Sequence, residues 1–494
     1  MIGLLLEGFT VVFSISIFPL LVTAVAGGII IGSLPGLTAT MGVAVLLPFT
    51  FGMDSTAALV MLVGVYIGGI YGGSIAAILL RTPGTPAAAA TVMDGHALVL
   101  KGEAGKALSV SAISSFIGGF ISTVMLITLS PLLARFALRF SAPEYFGLAL
   151  FGLTIIASVS ARNLIKGFLG GLFGLLIATV GLDPVTSYPR FTFGTINLLQ
   201  GFNIIPVLIG LFAISEAFVQ MESLRQTHSN PVRDLSARCL ISVREFIRVL
   251  PTAVKSGIMG TFIGSIPGAG ADIAAFVTYN EARRSSKTPD EFGQGILEGI
   301  AAPEAGNNGV TGGALVPLLT LGVPGDAVAA VLLGALIIQG LAPGPLLFTR
   351  SAPLVYGLFA SMLVANVVML FLGIIGIRFY ARVLQVPKRL IIGIIVFLSM
   401  VGAFAMNNSI FDIHVAIGFG VIGYLMRKVD IPLSPIVLAI ILGPMAESNL
   451  RRAIQMYQGS WSFMYTRPIT VAFLVLAVFS LVTAIRVKQR KQGD

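Results

Sequence analysis

Residues 28–36 read GIIIGSLPG, and residues 260–268 read GTFIGSIPG. The same Ser–apolar–Pro–Gly break interrupts an apolar run twice, 232 positions apart. Proline removes a backbone donor and clashes with the preceding helical turn, and glycine opens left-handed backbone conformations. In water such a break is an ordinary turn. In lipid the freed N–H and C=O groups are tolerated only when buried in protein or lining a wet cavity. Composition decides between the two settings. Of 494 residues, 56% are hydrophobic and 11% charged, where a soluble domain carries roughly 25% charge. Residues 1–80 hold no Lys or Arg, and only Glu7 and Asp54 are acidic. Further charge-free runs cover 107–134, 145–161, 191–215, 327–349, 351–377, 390–411 and 468–485. A span needs about 20 mostly apolar residues. The expectation is therefore an all-α polytopic membrane protein, set in the lipid bilayer, with about 10–13 membrane segments, several of them Pro-Gly-broken or re-entrant helices.

The net charge of +10 does not point to nucleic acid. Its bases sit in short clusters between apolar runs: Arg135/Arg139, Arg162/Lys166, Arg378/Arg382/Lys388/Arg389, Arg427/Lys428, Arg451/Arg452 and the tail Arg486, Lys488, Arg490 and Lys491. Such clusters mark cytoplasmic loops, which puts the C-terminus in the cytoplasm. The stretch 221–255 is also basic, carrying Arg225, Arg233, Arg238, Arg244, Arg248 and Lys255. It reads as a cytoplasmic connector between two membrane halves, 1–220 and 256–494. The N-terminus lacks a basic leader segment and reads as a retained first span. The single Cys239 excludes an intrachain disulfide and a cysteine metal site.

A second pair of breaks extends the first. Gly72-Gly73 is followed by Pro83-Gly84, and Gly312-Gly313 by Pro324-Gly325, at offsets of 240 and 241. The order of motifs is the same in both halves, so the sequence reads as two repeated halves. Corresponding helix interruptions in two such halves are a pointer to the binding site of a secondary transporter. The polar residues cluster there. Ser33, Pro35, Gly36, Thr38, Thr40, Ser74, Thr82, Pro83, Gly84 and Thr85 belong to the first half. Ser265, Pro267, Gly268, Asn307, Asn308, Thr311, Thr320, Pro324 and Gly325 belong to the second. Hydroxyls, amides and open helix N-termini suit a carboxylate ligand. Each Ser or Thr taken singly also reads as bonded back to its own helix. Asp272 and Asp326 are carboxylates beside breaks, hence candidates for ion coupling, or for helix N-capping.

At these residues the chain resembles the large membrane subunit of the bacterial tripartite tricarboxylate transporters. The likeness rests on GSLPGLTATMGVAVLLPFTFGM at 32–53, YGGSIAAILLRTPGTPAA at 71–88, PRFTFG at 189–194 and PVLIGLFAISE at 206–216. It continues through IGSIPGAGADIAAFVTYNEARRSSK at 263–287, EAGNNGVTGGALVPLLTLGVPGDAVAAVLLGAL at 304–336, GLAPGP at 340–345 and LGPMAESNLRRAI at 442–454. Ser187-Tyr188 before Pro189 departs from the pattern, in which a glycine is expected. The resemblance implies a permease of the bacterial cytoplasmic membrane working with a small membrane subunit and a periplasmic substrate-binding protein. It implies uptake of citrate-like or other organic carboxylates, driven by a Na⁺ or H⁺ gradient, with no cofactor.

Other classes fit less well. Gly268 and Gly270 begin a dinucleotide fingerprint, but its third glycine position is Ile273, and no P-loop is present. His96, His228 and His414 are scattered. An intramembrane aspartyl enzyme would use Asp272 and Asp326, yet Asp272 follows Gly-Ala-Gly-Ala, one position off the Gly-x-Gly-Asp pattern. A passive channel would need neither partner nor ion gradient.

Overall fold

The computed structural model describes residues 2–159, 164–184, 186–224, 241–384 and 386–490. The connector residues Arg225, Arg233 and Arg238, and likewise Arg162, His228, Cys239 and Lys491, lie outside the described residues. Nearly all regular structure is helical. One two-stranded antiparallel ladder pairs Gly181–Leu182 with Pro189–Arg190.

Among the described residues, seven helices are long and apolar enough to cross a membrane: Ser55–Leu80, Ala104–Ala137, Ile204–Glu222, Val243–Gly264, Ala352–Ile375, Ile410–Lys428 and Leu433–Met456. Ile2–Val12 and Ile17–Ser33, bent by 79°, bring the count to eight if taken together. Several apolar runs form helices of only 10–17 residues, such as Ala39–Thr50, Leu164–Ala178 and Ala327–Ile338, too short to span alone, while the apolar helices Ala142–Val159, Lys388–Asn407 and Pro468–Arg490 run to 18, 20 and 23 residues. The chain is an all-α polytopic membrane protein.

Ser55–Leu80 lies at the centre. Asp54 starts it, accepting from the backbone N–H of Thr56 (2.9 Å) and Ala57 (3.3 Å). The helix is apolar on every face and buried nearly throughout, as expected for a helix surrounded by others. Ile17–Ser33 packs along it, and Leu297–Gly313 packs in the same manner on Val243–Gly264. Both contacts are built on small residues, which let helix backbones approach closely where lipid offers no hydrophobic drive. A Cβ on Gly28, Gly32, Gly68 or Gly72 would come under 3.0 Å from the facing helix, against the carbonyl oxygens of Val65, Gly69, Val25 and Ile29 respectively. In the second half Gly260, Gly309 and Gly313 meet the carbonyl oxygens of Gly306, Gly257 and Thr261 in the same way. The contacts of Gly28, Gly68 and Gly72 match these three one to one at offsets of 232 and 241, while Gly264, in the place of Gly32, comes nearest to Val310 Cα. They set Gly72 opposite Gly313, one position along from the pairing of Gly72 with Gly312 read in the sequence.

The Pro267-Gly268 break joins two helices, Val243–Gly264 and Gly270–Ser285. Lys255 on the first arm bonds to Glu281 on the second at 2.8 Å. The pair sits 13 positions either side of Gly268, so the chain doubles back with Gly268 at the tip. The arms are 22 and 16 residues long. A capping box at Ser242 and Glu245 starts the first arm, inside the stretch read as connector. Hydrogen bonds from Lys255 and then Arg284 hold the Glu281 carboxyl below the usual carboxylate range.

Candidate functional site

Each of the four breaks ends one helix and starts another element. Ile17–Ser33 ends at Ser33-Leu34-Pro35-Gly36, where Gly36 has φ 89°. Thr38 then caps Ala39–Leu46, its Oγ1 accepting from the Met41 N–H at 3.2 Å. Ser55–Leu80 ends at Arg81, which takes a left-handed conformation with φ 55°. Gly322 holds the corresponding place in the second half with φ 73°. Gly84 N–H donates to the Gly73 carbonyl at 3.2 Å, and Gly325 N–H to the Ala314 carbonyl at 3.3 Å. A Cβ on Gly84 would strike the Gly32 carbonyl oxygen, and one on Gly325 the Gly264 carbonyl oxygen. Each Pro83-type break is thus wedged against the Pro35-type break of its own half. In the second half the wedge includes a direct bond, from Gly268 N–H to the Gly325 carbonyl at 2.8 Å.

Two of the contacts between the first and second parts of the chain lie at the breaks. Tyr66, on the central helix of the first half, donates its hydroxyl to Asp326 Oδ2 at 2.8 Å. Asn307, on Leu297–Gly313, donates from Nδ2 to the Ala87 carbonyl at 3.0 Å, just past the Pro83-Gly84 break. Tyr66 and Asn307 are themselves 241 positions apart, so each half reaches across to the break of the other. Asn308 Nδ2 donates to Asn307 Oδ1 at 2.7 Å, which braces that bridge.

The hydroxyls divide by role. Ser33, Thr82, Ser265, Thr311 and Thr320 bond to carbonyls of their own chain segment two to four residues back. Thr38 is a cap, and Thr40 is half-buried on the helix that Thr38 starts. Thr85 is buried with its Oγ1 unpartnered. Asp326 is an N-cap: Oδ1 accepts from the Ala329 N–H at 2.7 Å, so both its oxygens are engaged. Asp272 stands in the first turn of Gly270–Ser285 and is exposed. Pro35, Pro83, Pro267 and Pro324 hold the turns, with Gly268 at φ 82°. The break residues are packed against one another. Clefts of about 570 Å³ beside Tyr145, Asn449 and Arg452 and about 720 Å³ beside Thr10, Asp54 and Thr56 contain none of them.

One buried group was not singled out from the sequence. Glu304 follows Pro303 inside Leu297–Gly313 and is fully buried. Its carboxylate accepts from Ser74 (2.6 Å), Ser111 (3.1 Å) and Ser115 (3.0 Å), and from Thr91. Its signal is visible afterwards: it is the only charge between Glu298 and Asp326. Arg81 was passed over too. It is exposed and is the single basic residue within the four break segments.

Comparison with known proteins gives a consistent picture. The family model described as the tripartite tricarboxylate transporter TctA family matches residues 18–438. An uncharacterised 52.8 kDa protein in the TAR-I ttuC′ 3′ region of Agrobacterium vitis is 36% identical over 469 residues, covering 94% of this chain and 93% of that protein. An uncharacterised protein in the TAR-II ttuC′ 3′ region of the same organism is 35% identical over 235 residues, covering 48% of this chain and 97% of its own.

Proposed function

The chain belongs to the tripartite tricarboxylate transporter TctA family, and from that premise we propose that its four Pro-Gly breaks form the substrate seat of a carboxylate permease. As a member it is a membrane component of a tripartite system with a small membrane subunit and a periplasmic binding protein. The finer reading is uptake of a tricarboxylate or related organic carboxylate across the bacterial cytoplasmic membrane, driven by a Na⁺ or H⁺ gradient. The observation that carries it is the convergence of the breaks, with Gly268 bonded to Gly325 and Tyr66 and Asn307 reaching across between halves. Helices beginning at Ala39, Gly270 and Ala327 follow three of these breaks. Helix N-termini attract anions, and Arg81 adds a fixed positive charge beside the fourth.

Two repeated halves wedged together at their breaks suit alternating access, in which one half rocks against the other around a central site. The matched glycine contacts support that reading. The seat is packed closed, and rocking opens it to one side at a time. Asp272, open at its helix start, is the coupling group of this site, and Asp326 holds the halves in register. The alternative of an aspartyl enzyme is disfavoured because both Asp326 oxygens are engaged. The test is uptake of labelled citrate and other carboxylates by liposomes holding the chain and its small subunit, with the binding protein outside. Gradient-driven accumulation that needs all three supports the proposal. Equilibration without a gradient identifies a passive channel, and chemical conversion of the carboxylate identifies an enzyme.

A further inference from the structure

We infer that Glu304 and the hydroxyls around it form a binding site for a dehydrated monovalent hard cation of the Na⁺ class, separate from Asp272 and Asp326. The argument begins with what the hydroxyls forgo. Ser and Thr in helices commonly bond back to a carbonyl one turn earlier. Thr123, Thr261, Thr278 and Ser361 do so here. Ser74, Thr91, Ser111 and Ser115 instead turn to Glu304, from three different helices and from 189 to 230 positions away. Four hydroxyls around one carboxyl can all donate to it when it is ionised, and their free lone pairs remain open to a cation. An ionised carboxylate buried at membrane depth is costly unless a positive charge compensates it. Among the described residues Glu304 has no Lys, Arg or His within ion-pair distance.

Two further oxygens point the same way. Thr85 Oγ1 and Asn308 Oδ1 are buried acceptors without a hydrogen-bond partner. Thr85 lies against Gly73, the neighbour of Ser74, and Asn308 sits one helical turn from Glu304, donating to its carbonyl at 3.1 Å. Buried polar atoms left unpaired call for an explanation such as an ion. Every available ligand atom is oxygen, the donor set of hard cations, and a single carboxylate balances a single positive charge. The site also bridges the halves, since Ser74, Thr91, Ser111 and Ser115 belong to the first and Glu304 to the second. A cation here stabilises one arrangement of the halves, which is how ion binding couples to rocking. This deepens the transport reading and rests on it for the link to coupling; the binding itself does not.

The test is ²²Na⁺ binding to the purified full chain in detergent, at constant ionic strength with choline as replacement, with no carboxylate and no partner subunit. Wild type is expected to bind one Na⁺ saturably at Glu304, and Glu304→Gln to lose that site. Ser111→Ala and Ser115→Ala are expected to weaken binding by about 10–100-fold, the range for residues that support a metal ligand. Glu298→Gln, on the same helix but paired with Arg248 at its outer end, should bind as wild type. If Glu304→Gln does not fold, the two serine variants carry the test. Unaltered ²²Na⁺ binding in folded Glu304→Gln or in both serine variants overturns the site, as does a wild type without saturable binding. Absence of carboxylate uptake in the reconstituted three-component system, with ²²Na⁺ binding intact, would instead remove the transport reading and leave this site standing.

Discussion

Arg81 pays for its position in backbone strain. A non-glycine residue in the left-handed helical region costs roughly 1–2 kcal/mol, and Gly322 fills the matching place at φ 73° without that cost. Glycine adds back about 0.5–1 kcal/mol of unfolded-state entropy. Arg81→Gly is therefore expected to leave stability level or raise it by up to about 1 kcal/mol, read by thermal unfolding in detergent. The same variant is expected to slow carboxylate uptake by about tenfold or more, since a charge-assisted hydrogen bond is worth about 1.5–3 kcal/mol. Unchanged uptake would remove Arg81 from the seat. Tyr66 works in the opposite sense. Its hydroxyl supplies one of two bonds to buried Asp326, so Tyr66→Phe is expected to cost about 1.5–3 kcal/mol in unfolding measurements. Asp326 was singled out in the sequence because it follows a break, and Asn307 because it falls in a run of polar residues just before Gly312-Gly313. Glu304 was not, because its hydroxyl partners lie far away in sequence and no local pattern announces them.

At the scale of elements, the hairpin around Gly268 makes two predictions. With the native Cys239 replaced, cysteines placed at 255 and 287 are expected to react with an impermeant thiol reagent from the same face of the membrane. Labelling from opposite faces would mean that the two arms run on as one span. The strap from Lys255 to Glu281 gives the hairpin a pH dependence. The folded Glu281 carboxyl is held below its usual value, so the strap contributes above that usual value and is lost as pH falls through the lowered one. The wild type is expected to lose thermal stability over that acid range by an increment that Glu281→Gln lacks. The break positions were readable because Pro-Gly has few uses inside an apolar run. The lengths of the arms were not: basic residues at 248 and 255 looked like loop, yet a capping box at Ser242 starts the helix before them.

At the scale of the whole molecule, the halves interlock. Ser74 meets Glu304 at 2.6 Å, Tyr66 meets Asp326 at 2.8 Å, and Asn307 meets Ala87 at 3.0 Å. Asp94 of the first half accepts from the backbone N–H groups of Gly293, Gly295 and Ile296, at the head of Leu297–Gly313. A chain split between 224 and 241 and expressed as two pieces is expected to co-purify as one complex. Either piece alone is expected to aggregate, because it leaves buried polar groups such as Glu304 or Asp94 without partners. Recovery of a monodisperse single half would show that the interlock is dispensable. The order of motifs suggested two halves in the sequence, but nothing in that order said that the first part of the chain would bond to the second at Glu304 and Asp94.

The glycine contacts between central helices have a consequence for how this protein can change over generations. No base change in a glycine codon yields a smaller side chain, so every missense step at Gly32 or Gly72 adds atoms. The obstacle each would meet is a backbone carbonyl oxygen, of Gly69 or Ile29, which every amino acid carries alike. A second mutation on the facing helix therefore has nothing to trim away. Such positions are expected to stay fixed in a saturation-mutagenesis screen under selection for growth on a transported carboxylate, even where their neighbours drift.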